Sequence, residues 1–277
     1  MNLYTSNALH CSEVTTKNYS TSFSMGVWLL RKKYRPAIYA IYGFVRFADE
    51  IVDTFHDQEK RTLLDRFRTE TFEAIEKQMS PNPILHSFQW VVNLYNIGHD
   101  LIEAFLKSMD MDLYKKTFNR AEYQEYIYGS AEVVGLMCLR VFYHGEEAAY
   151  QRLVPPARKL GEAFQKVNFL RDLKSDFEER GRVYFPNVNY NTFSGKEKRE
   201  IEEDLRADFA ESLPGIRVLK KDVRLGVLLA YRYYQELLMQ IETASAQSLI
   251  SKRFRVSGIN KMQLLVRCWI KHHLNGI

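Results

Sequence analysis

The chain has 277 residues, and its 46% of hydrophobic residues can bury one sizeable core. A formal net charge of +5 is too small to indicate a nucleic-acid partner, and three widely spaced cysteines form no zinc or redox motif. With only 13 glycines and 7 prolines, and no apolar run near the ~18 residues of a membrane span, the composition favours long helices in a cytoplasmic protein.

Hydrophobic positions recur at helical spacing along most of the chain, and no stretch alternates at period two for long enough to predict a sheet. The sequence contains no internal repeat and no break in composition that would divide it. We therefore predict an all-α protein in which residues 1–277 form a single domain.

The N-terminal segment is polar and rich in Ser and Thr. Hydroxyl groups near its end fit two roles equally well, capping the first turn of a helix or donating hydrogen bonds to a phosphate. The residues concerned are Tyr19, Ser20, Thr21 and Ser22. A basic cluster, residues 31–35, comes next, and Pro36 suits the first turn of a new helix.

The helix that begins near Pro36 carries a first polar stripe. Its members are spaced by four, three and four residues, which places them on one face: Tyr42, Arg46, Asp49 and Asp53. An intrahelical ion pair between Arg46 and Asp49 would account for one carboxylate and leave Asp53 unexplained.

The segment from Ala121, AEYQEYIYGSAEVVGLMCLRVF, predicts a helix that presents Tyr126 and Ser130 on one face. Gly129 and Gly135 have no side chains, so either a neighbouring helix or a ligand can approach this helix closely. The sequence does not decide between these two roles.

The stretch from residue 161 to residue 186 carries a second stripe, spaced by three, four and four residues: Gln165, Asn168, Asp172 and Asp176. Two carboxylates one turn apart repel each other, and burying them without a partner is costly. A hard cation such as Mg²⁺ resolves the conflict because it prefers oxygen ligands. The same spacing at Asp204 and Asp208 lies in a highly charged run and predicts a solvated helix face.

Two helices that each present a doubled carboxylate predict a site where Mg²⁺ ions hold a diphosphate and neutralise it as a leaving group. Loss of the diphosphate leaves a carbocation, so the rest of the cavity should be apolar, aromatic and dry. The abundance of aromatic residues, 17 Phe and 17 Tyr, allows such a cavity.

The two stripes lie in motifs that resemble those of the squalene and phytoene synthases, the head-to-head prenyl transferases. The first motif reads AIYGFVRFADEIVD and the second QKVNFLRDLKSDFEERGRVYFP, and the Tyr126–Gly135 segment and Ser22-Phe23 match as well. The resemblance covers nearly the whole chain. It implies an isoprenoid-synthase-type helical bundle around a central cavity.

By this resemblance, the metal ligands are Asp49, Asp53, Asn168, Asp172 and Asp176. The expected diphosphate and substrate contacts are Tyr19, Ser20, Thr21, Ser22, Tyr42, Arg46, Gln165, Arg171, Tyr234 and Arg253. The four aspartates and Tyr126, near the reacting carbons, are the expected catalytic residues. The chain departs from the family pattern at Glu132, where glycine is usual, and at Tyr19 and Thr21, where many relatives carry His and Lys.

The resemblance further implies phytoene synthase activity. Two geranylgeranyl diphosphates would condense through a cyclopropylcarbinyl diphosphate with Mg²⁺, or Mn²⁺ in its place, and without NADPH. The alternatives are a squalene or dehydrosqualene synthase acting on farnesyl diphosphate, and a non-catalytic relative, which should have lost carboxylates that no metal neutralises. Lipid substrates predict peripheral contact with the inner face of the cell membrane, beside the basic cluster. The sequence leaves the oligomeric state open.

Overall fold

The computed structural model describes residues 1–274, so the last three residues of the predicted single domain, 275–277, lie outside the described part. The described chain is predominantly helical. Its α-helices are α1 Leu3–Tyr19, α2 Thr21–Leu29, α3 Arg35–Asp53, α4 Lys60–Lys77, α5 Pro83–Tyr95, α6 His99–Tyr114, α7 Arg120–Ile127, α8 Val133–Phe142, α9 Glu147–Arg180, α10 Gly195–Val218, α11 Lys221–Thr243, α12 Ala246–Leu249 and α13 Gly258–Leu274.

Two shorter elements complete the helical chain. A π-helical segment, Tyr128–Glu132, joins α7 to α8, and a 3₁₀ turn, Tyr190–Thr192, precedes α10. Residues 1–274 form no β-strand, and in this range a single isolated bridge pairs Thr117 with Val183. The all-α prediction is confirmed. None of the helices in the described range is both long and apolar enough to cross a bilayer.

Local sequence signals set several helix boundaries. The side chain of Ser20 accepts a hydrogen bond from the backbone N–H of Phe23 and thereby caps α2. Pro36 lies in the first turn of α3, where its fixed φ is compatible with the helix. Gly181 ends α9 at a φ of +66°, a left-handed conformation that glycine adopts without a Cβ clash.

Helix α3 runs through the core with its apolar side buried. Phe44 has no exposed surface and stacks on Phe88 of α5, with 3.8 Å between the ring centroids. Close packing of this kind fixes the rotation of α3 about its axis. Asp49 and Asp53 consequently lie at the edge of the core, with 33% and 26% of their side chains exposed.

Helix α9 spans 34 residues, which corresponds to about 51 Å. It packs against α8, the π-helical segment, α10 and α11, so that it contacts most of the second half of the bundle. Val167 and Leu170 are fully buried on its apolar side. The helix therefore holds its polar stripe in a fixed position relative to its neighbours.

An ion-pair network joins α9 to α10 on a different face of α9 from the polar stripe. The buried Lys166 places its Nζ 2.7 Å from a carboxylate oxygen of Asp208 and 2.7 Å from one of Glu162. Lys159 contacts the other oxygen of Asp208 at 2.8 Å, and Asp204 also contacts Lys166. The prediction of a solvated face is wrong for Asp208, which is 1% exposed, because two lysines of α9 neutralise it inside the helix interface.

Candidate active site

The polar stripe of α3 lies next to the N-terminal segment. The guanidinium of Arg46 lies 4.3 Å from the centroid of the Tyr19 ring, a cation–π contact. Arg46 pairs closely with Glu50, whereas its distance to Asp49 is 3.9 Å. The ion pair between Arg46 and Asp49 is therefore loose, and Arg46 shares its charge with Glu50.

The hydroxyl groups of the N-terminal segment adjoin the start of the α3 stripe. Tyr42 hydrogen-bonds to Ser20, and burial raises the pKa of Tyr42 to about 12. Thr21 accepts a hydrogen bond from Lys261 at 3.3 Å, and Ser22 is half-buried in the same turn. Ser20 thus combines the capping role with a place beside the stripe.

The amide groups of the α9 stripe form a chain of hydrogen bonds. Gln165 donates to Ser130 of the π-helical segment at 3.2 Å, and Asn168 donates to Gln165 at 3.3 Å. The hydroxyl of Tyr234, on α11, donates to the side-chain oxygen of Asn168 at 3.2 Å. Side chains of three elements therefore fix the orientation of the Asn168 carboxamide.

Arg180, at the end of α9, joins the two acidic stripes. Its Nε lies 3.2 Å from Oδ1 of Asp53, and its Nη1 lies 3.3 Å from Oδ1 of Asp176. Arg182 adds a second contact to Asp53 at 3.1 Å. Asp53 and Asp176 are far apart in sequence, so the fold brings the acidic ends of α3 and α9 to one place.

Asp172 is held by two arginines. Arg253 contacts its two carboxylate oxygens at 2.6 and 3.1 Å, and the Nε of Arg171 lies 2.9 Å from one of them. Burial alone would raise the pKa of Asp172, but the hydrogen bonds from Arg171 and Arg253 outweigh it and lower that pKa. Both arginines were predicted to contact the substrate, and both lie at the acidic stripe.

Asp49 and Asp176 differ from Asp172 in their electrostatics. Burial and, to a smaller extent, the nearby carboxylates of Asp53 and Asp172, respectively, raise the pKa of each to about 7. The ionised form of each carboxylate is therefore poorly solvated, and the arginines nearby do not fully compensate for this. Carboxylate oxygens with the Asn168 carbonyl are the donor set that Mg²⁺ accepts, so these residues fit the predicted cation.

A buried carboxylate that no sequence motif indicated lies at the same place, Asp112 of α6. Tyr126 donates to it at 2.7 Å and Tyr184 donates to it at 3.0 Å. Arg182 donates to the backbone carbonyl of Asp112 at 2.7 Å and also contacts Asp53, so this network reaches the acidic stripes. Asp112 has no companion at helical spacing in the motifs, which is why its sequence position gave no signal.

A further acidic group lies outside these stripes. Among residues 1–270, whose side chains the structure describes, Glu162, Asp204 and Asp208 form the one group of three acidic, His or Cys side chains whose ligand atoms lie within 4.8 Å of each other. Lys159 and Lys166 contact this group directly. The two lysines neutralise these carboxylates inside the helix interface, so we interpret the group as an ion-pair network that holds α9 against α10.

Glu132, where the chain departs from the expected motif, is accommodated by an ion pair. Its side chain is 8% exposed and accepts a hydrogen bond from Arg158 of α9. Burial is the larger effect on its carboxyl and raises its pKa, against the opposing contribution of Arg158. The substitution therefore adds a link between the π-helical segment and α9.

This fold and this site define a class of protein, an all-α isoprenoid-synthase-type bundle in which the acidic ends of two aspartate-bearing helices meet. The model of the squalene/phytoene synthase family matches residues 16–260. The chain belongs to that family, as its motifs predicted.

Relatives of known activity match almost the full length of the chain. It is 25% identical over 279 residues to a 4,4'-diapophytoene synthase of Staphylococcus haemolyticus, covering 97% of this chain and 94% of the relative. It is 29% identical over 283 residues to the chloroplastic phytoene synthase 2 of Solanum lycopersicum, covering 92% and 87%. The two relatives differ in the products that their names give.

Solved structures confirm the predicted fold. A dehydrosqualene synthase in complex with a ligand superimposes with a TM-score of 0.83 at 23% identity, covering 99% of this chain and 98% of that one. A squalene synthase from Alicyclobacillus acidocaldarius gives a TM-score of 0.76 at 17% identity, with coverages of 92% and 98%. At these identities, the likeness applies to the fold alone.

Proposed function

We propose that the protein is a phytoene synthase of carotenoid biosynthesis, which condenses two geranylgeranyl diphosphates head to head. The observation that carries the proposal is the meeting of two acidic stripes at Arg180, which bridges Asp53 of α3 and Asp176 of α9. A diphosphate with its cations requires several carboxylates from facing helices. Membership of the family supports the prenyl transferase class, and the phytoene synthases among its relatives support the product.

The proposed cation ligands are the oxygen atoms of the two stripes. Mg²⁺, or Mn²⁺ in its place, would be held by Asp49, Asp53, Asn168, Asp172 and Asp176. When bound there, the cations supply positive charge that makes the diphosphate a better leaving group. The raised pKa values of Asp49 and Asp176 support this role, because a bound cation would stabilise the ionised carboxylates that burial disfavours.

The proposed diphosphate contacts surround these carboxylates. Arginine guanidinium groups suit phosphate because they donate two parallel hydrogen bonds. The set comprises Arg46, Arg171 and Arg253, with the hydroxyl and amide groups of Tyr19, Ser20, Thr21, Ser22, Tyr42, Gln165 and Tyr234. Arg171 and Arg253 now contact Asp172, and a diphosphate beside that residue would come within their reach.

The reaction has two ionisations. In the first, the C–O bond of one allylic diphosphate breaks, the double bond of the second substrate attacks the resulting carbon, and loss of a proton closes a cyclopropane ring. In the second, the remaining diphosphate leaves, the ring rearranges to a 1′–1 linkage, and loss of another proton forms the central double bond. Because the product forms by proton loss, no hydride from NADPH is needed.

Buried aromatic rings adjoin the acidic stripes. The rings of Phe169 and Tyr184 stack at 4.2 Å, and the Tyr126 ring centroid lies 4.9 Å from that of Tyr184. Such rings present negative faces that stabilise a cation without reacting with it. We assign Tyr126 to the vicinity of the reacting carbons, where its hydroxyl is already held by Asp112.

A second candidate is dehydrosqualene synthase, which would use two farnesyl diphosphates. The match to a diapophytoene synthase along 94% of that relative favours it. Squalene formation from the same substrate would require NADPH as the hydride source. A chain one isoprene unit longer gains about 0.8 kcal/mol for each additional buried carbon, but only if the end of the cavity is open.

Purified protein incubated with C15 or C20 diphosphates, each with and without NADPH, tests the proposal. We expect phytoene from the C20 substrate, with no effect of NADPH. Turnover of the C15 substrate alone would replace the phytoene assignment with the second candidate.

Metal dependence is tested in the same assay. We expect excess EDTA to abolish turnover, and Asp49→Asn and Asp172→Asn each to lower kcat by two or more orders of magnitude, while the helical circular dichroism is retained. Glu200→Gln is a matched control, since Glu200 is 64% exposed and its contact with Lys196 is long, at 3.9 Å. Full activity in EDTA would contradict the proposed role of the cations.

Both substrates and product of the proposed reaction are lipids. We therefore also propose that the protein works in the cytoplasm in peripheral contact with the inner face of the cell membrane. Direct transfer from and into the bilayer would spare the hydrocarbon chains exposure to water.

A further inference from the structure

Helix α13 exposes an apolar stripe on its outer side. Ile259 is 73% exposed, Met262 57%, Val266 46% and Ile270 43%. Their spacing of three, four and four residues places them on one face of the helix. An apolar stripe of this kind on a surface helix marks a contact with another surface.

The opposite side of α13 is already used for packing. Cys268 is buried against Leu225 and Leu229 of α11, and Leu264 and Leu265 pack on the same cluster. The outer stripe is therefore not the side that holds the helix in the fold. It is a second apolar face on the same helix.

Helix α2 lies beside α13 on the same support. Its residues Met25 and Leu29 pack on the α11 cluster that α13 contacts, and Thr21 at its start bonds Lys261 near the start of α13. Trp28, between the two packing residues of α2, is 60% exposed. The two helices thus form one surface with large apolar side chains in it.

The two segments that form this surface carry basic residues and no acidic ones, and the one acidic contact to residues 31–35 among the ion pairs described comes from Asp222 of α11, which pairs with Arg31 and Lys33. Residues 21–35 contain four Lys or Arg and no Asp or Glu, and residues 251–274 contain six Lys or Arg and no Asp or Glu. These segments hold ten of the 39 basic residues, so the rest of the chain has 29 basic and 34 acidic residues, a formal net charge of −5. The positive charge of the protein is concentrated next to its exposed apolar stripe.

We propose that the surface of α2 and α13, the docking face, binds an anionic lipid bilayer. The docking face is defined by its apolar residues and by two exposed basic residues: Trp28, Ile259, Met262, Val266, Ile270, Lys32 and Arg267. Apolar side chains enter the boundary between headgroups and acyl chains, Trp is favoured at that boundary, and Lys and Arg attract anionic headgroups. The choice of a lipid surface over a protein partner rests on the proposed function, whose substrates are lipids.

The docking face is continuous with the rim of the candidate site. The segment that leads into α13 carries Arg253, which contacts Asp172, and its Ser251 carbonyl accepts a hydrogen bond from Lys174 at 3.1 Å. Lys261 links α13 to Thr21 of the N-terminal segment. A bilayer bound at this face would lie beside the residues proposed to receive the diphosphate, so a lipid substrate would have a short path to them.

Co-sedimentation of the full chain with vesicles tests the proposal. The vesicles are neutral phosphatidylcholine alone or phosphatidylcholine with phosphatidylglycerol as the anionic lipid. We expect binding to the anionic vesicles that weakens with added salt, and much weaker binding to the neutral ones.

Two pairs of variants separate the apolar from the charged contribution. We expect M262E/V266E to weaken binding to anionic vesicles at least tenfold. The control M239E/V218E should leave binding unchanged, because Met239 and Val218 are exposed apolar residues, at 53% and 58%, that lie outside the docking face. We expect K32E/R267E to weaken it about 25-fold or more, since each basic residue contributes about fivefold, while the control K77E/K196E has little effect. Circular dichroism and thermal melts verify that each variant is folded.

Unchanged sedimentation of M262E/V266E would overturn the proposal. A second outcome would also overturn it. If light scattering without lipid shows a wild-type dimer that M262E/V266E converts to a monomer, and the wild type binds no vesicles, the face joins two copies of the chain. Turnover of detergent-dispersed diphosphates, which needs no bilayer, is measured separately. If the wild-type protein turns over the substrates but does not bind anionic vesicles, the docking face alone is contradicted. If it binds the vesicles but shows no turnover, the proposed function alone is contradicted.

Discussion

Asp112 orients the side chains around it through hydrogen bonds. Because Tyr126 and Tyr184 both donate to its carboxylate, their hydroxyl protons point towards Asp112 and the oxygen lone pairs point elsewhere. Arg182 ties the same residue to the end of α3 through Asp53. The position of the Tyr126 hydroxyl therefore depends on a residue that no motif contains.

The electrostatics of Asp112 predict a pH dependence of stability. Burial raises its pKa to about 6, although Arg182 and Tyr126 oppose the shift, whereas in the unfolded chain the pKa is about 3.9. The folded state thus binds the proton more tightly than the unfolded chain, and ionisation lowers the free energy of unfolding as the pH rises from about 4 to 6. We expect Asp112→Asn to remove this decrease, at most about 3 kcal/mol.

Urea unfolding of the metal-free protein between pH 4 and 8 measures this effect. The two proteins are compared by the slope of the free energy of unfolding against pH, because the substitution also changes packing and therefore the free energy itself. Asp65→Asn, at a side chain that is 59% exposed, serves as the control and should leave the slope unchanged. An Asp112→Asn slope equal to that of the wild type would contradict the prediction.

Site residues that share one helix could be predicted from the sequence. The spacing of Asp49 and Asp53, and of Asp172 and Asp176, follows from helix geometry alone, so both stripes could be predicted. Arg180 could not, because its contact with Asp53 joins residues 127 positions apart and depends on how α3 and α9 pack. The roles assigned to individual residues remain predictions.

The π-helical segment packs closely against α6. A Cβ on Gly129 would lie 2.3 Å from the backbone oxygen of Ala104 and 2.7 Å from the Cβ of Ser108, closer than atoms can pack. A Cβ on Gly135 would lie 3.5 Å from the nearest atom, an ordinary contact. Gly129 is therefore required for the close approach of the π-helical segment to α6, whereas Gly135 has room for a Cβ beside Ala157 of α9.

We expect Gly129→Ala to destabilise the protein by about 1–3 kcal/mol, because the overlap forces α6 and the π-helical segment apart. Gly135→Ala should be neutral or stabilising by up to about 1 kcal/mol, since alanine is the better helix former. Chemical denaturation of both variants measures the difference. Equal effects of the two substitutions would contradict the role given to Gly129.

The interface between α9 and α10 allows a matched comparison of two aspartates. Asp208 and Asp204 both contact Lys166, but their side chains are 2% and 60% exposed. We expect Asp208→Asn to lower the free energy of unfolding by about 3 kcal/mol, because it leaves charge unbalanced in a buried network. Asp204→Asn should cost less than about 1 kcal/mol, since solvent screens the exposed pair.

Urea denaturation measures both variants. Similar losses for the two would mean that burial does not set the strength of this network. The sequence could not distinguish the pair, because both residues lie in one charged run and their difference arises from the approach of α9. By contrast, Pro36 marked the start of α3 because its effect on the backbone is local.

At the scale of the whole molecule, cations and diphosphate should stabilise the fold together. The acidic stripes repel a diphosphate unless cations lie between them, so each ligand should bind better in the presence of the other. We expect Mg²⁺ with inorganic pyrophosphate, at about 100 times the dissociation constant, to add about 2.7 kcal/mol of stability and to raise Tm by about 5–10 °C.

Differential scanning fluorimetry with each ligand alone and with both measures this coupling. The Asp49→Asn/Asp172→Asn double variant is the control and should show little shift with the pair. A full shift from pyrophosphate without Mg²⁺ would contradict the coupling, and it would indicate that the arginines bind the anion by themselves.

The arginines at the acidic stripes have a consequence for handling the protein. Asp53 and Asp176 contact Arg180, and Asp172 contacts Arg171 and Arg253, so side chains of the chain itself offset part of the repulsion between the helices. Small proteins whose fold depends on a metal unfold when a chelator removes it. Here, inactivation by EDTA should instead be reversible. The metal-free protein should remain helical when it is stored in the cold, and full turnover should return within the mixing time when Mg²⁺ is added back.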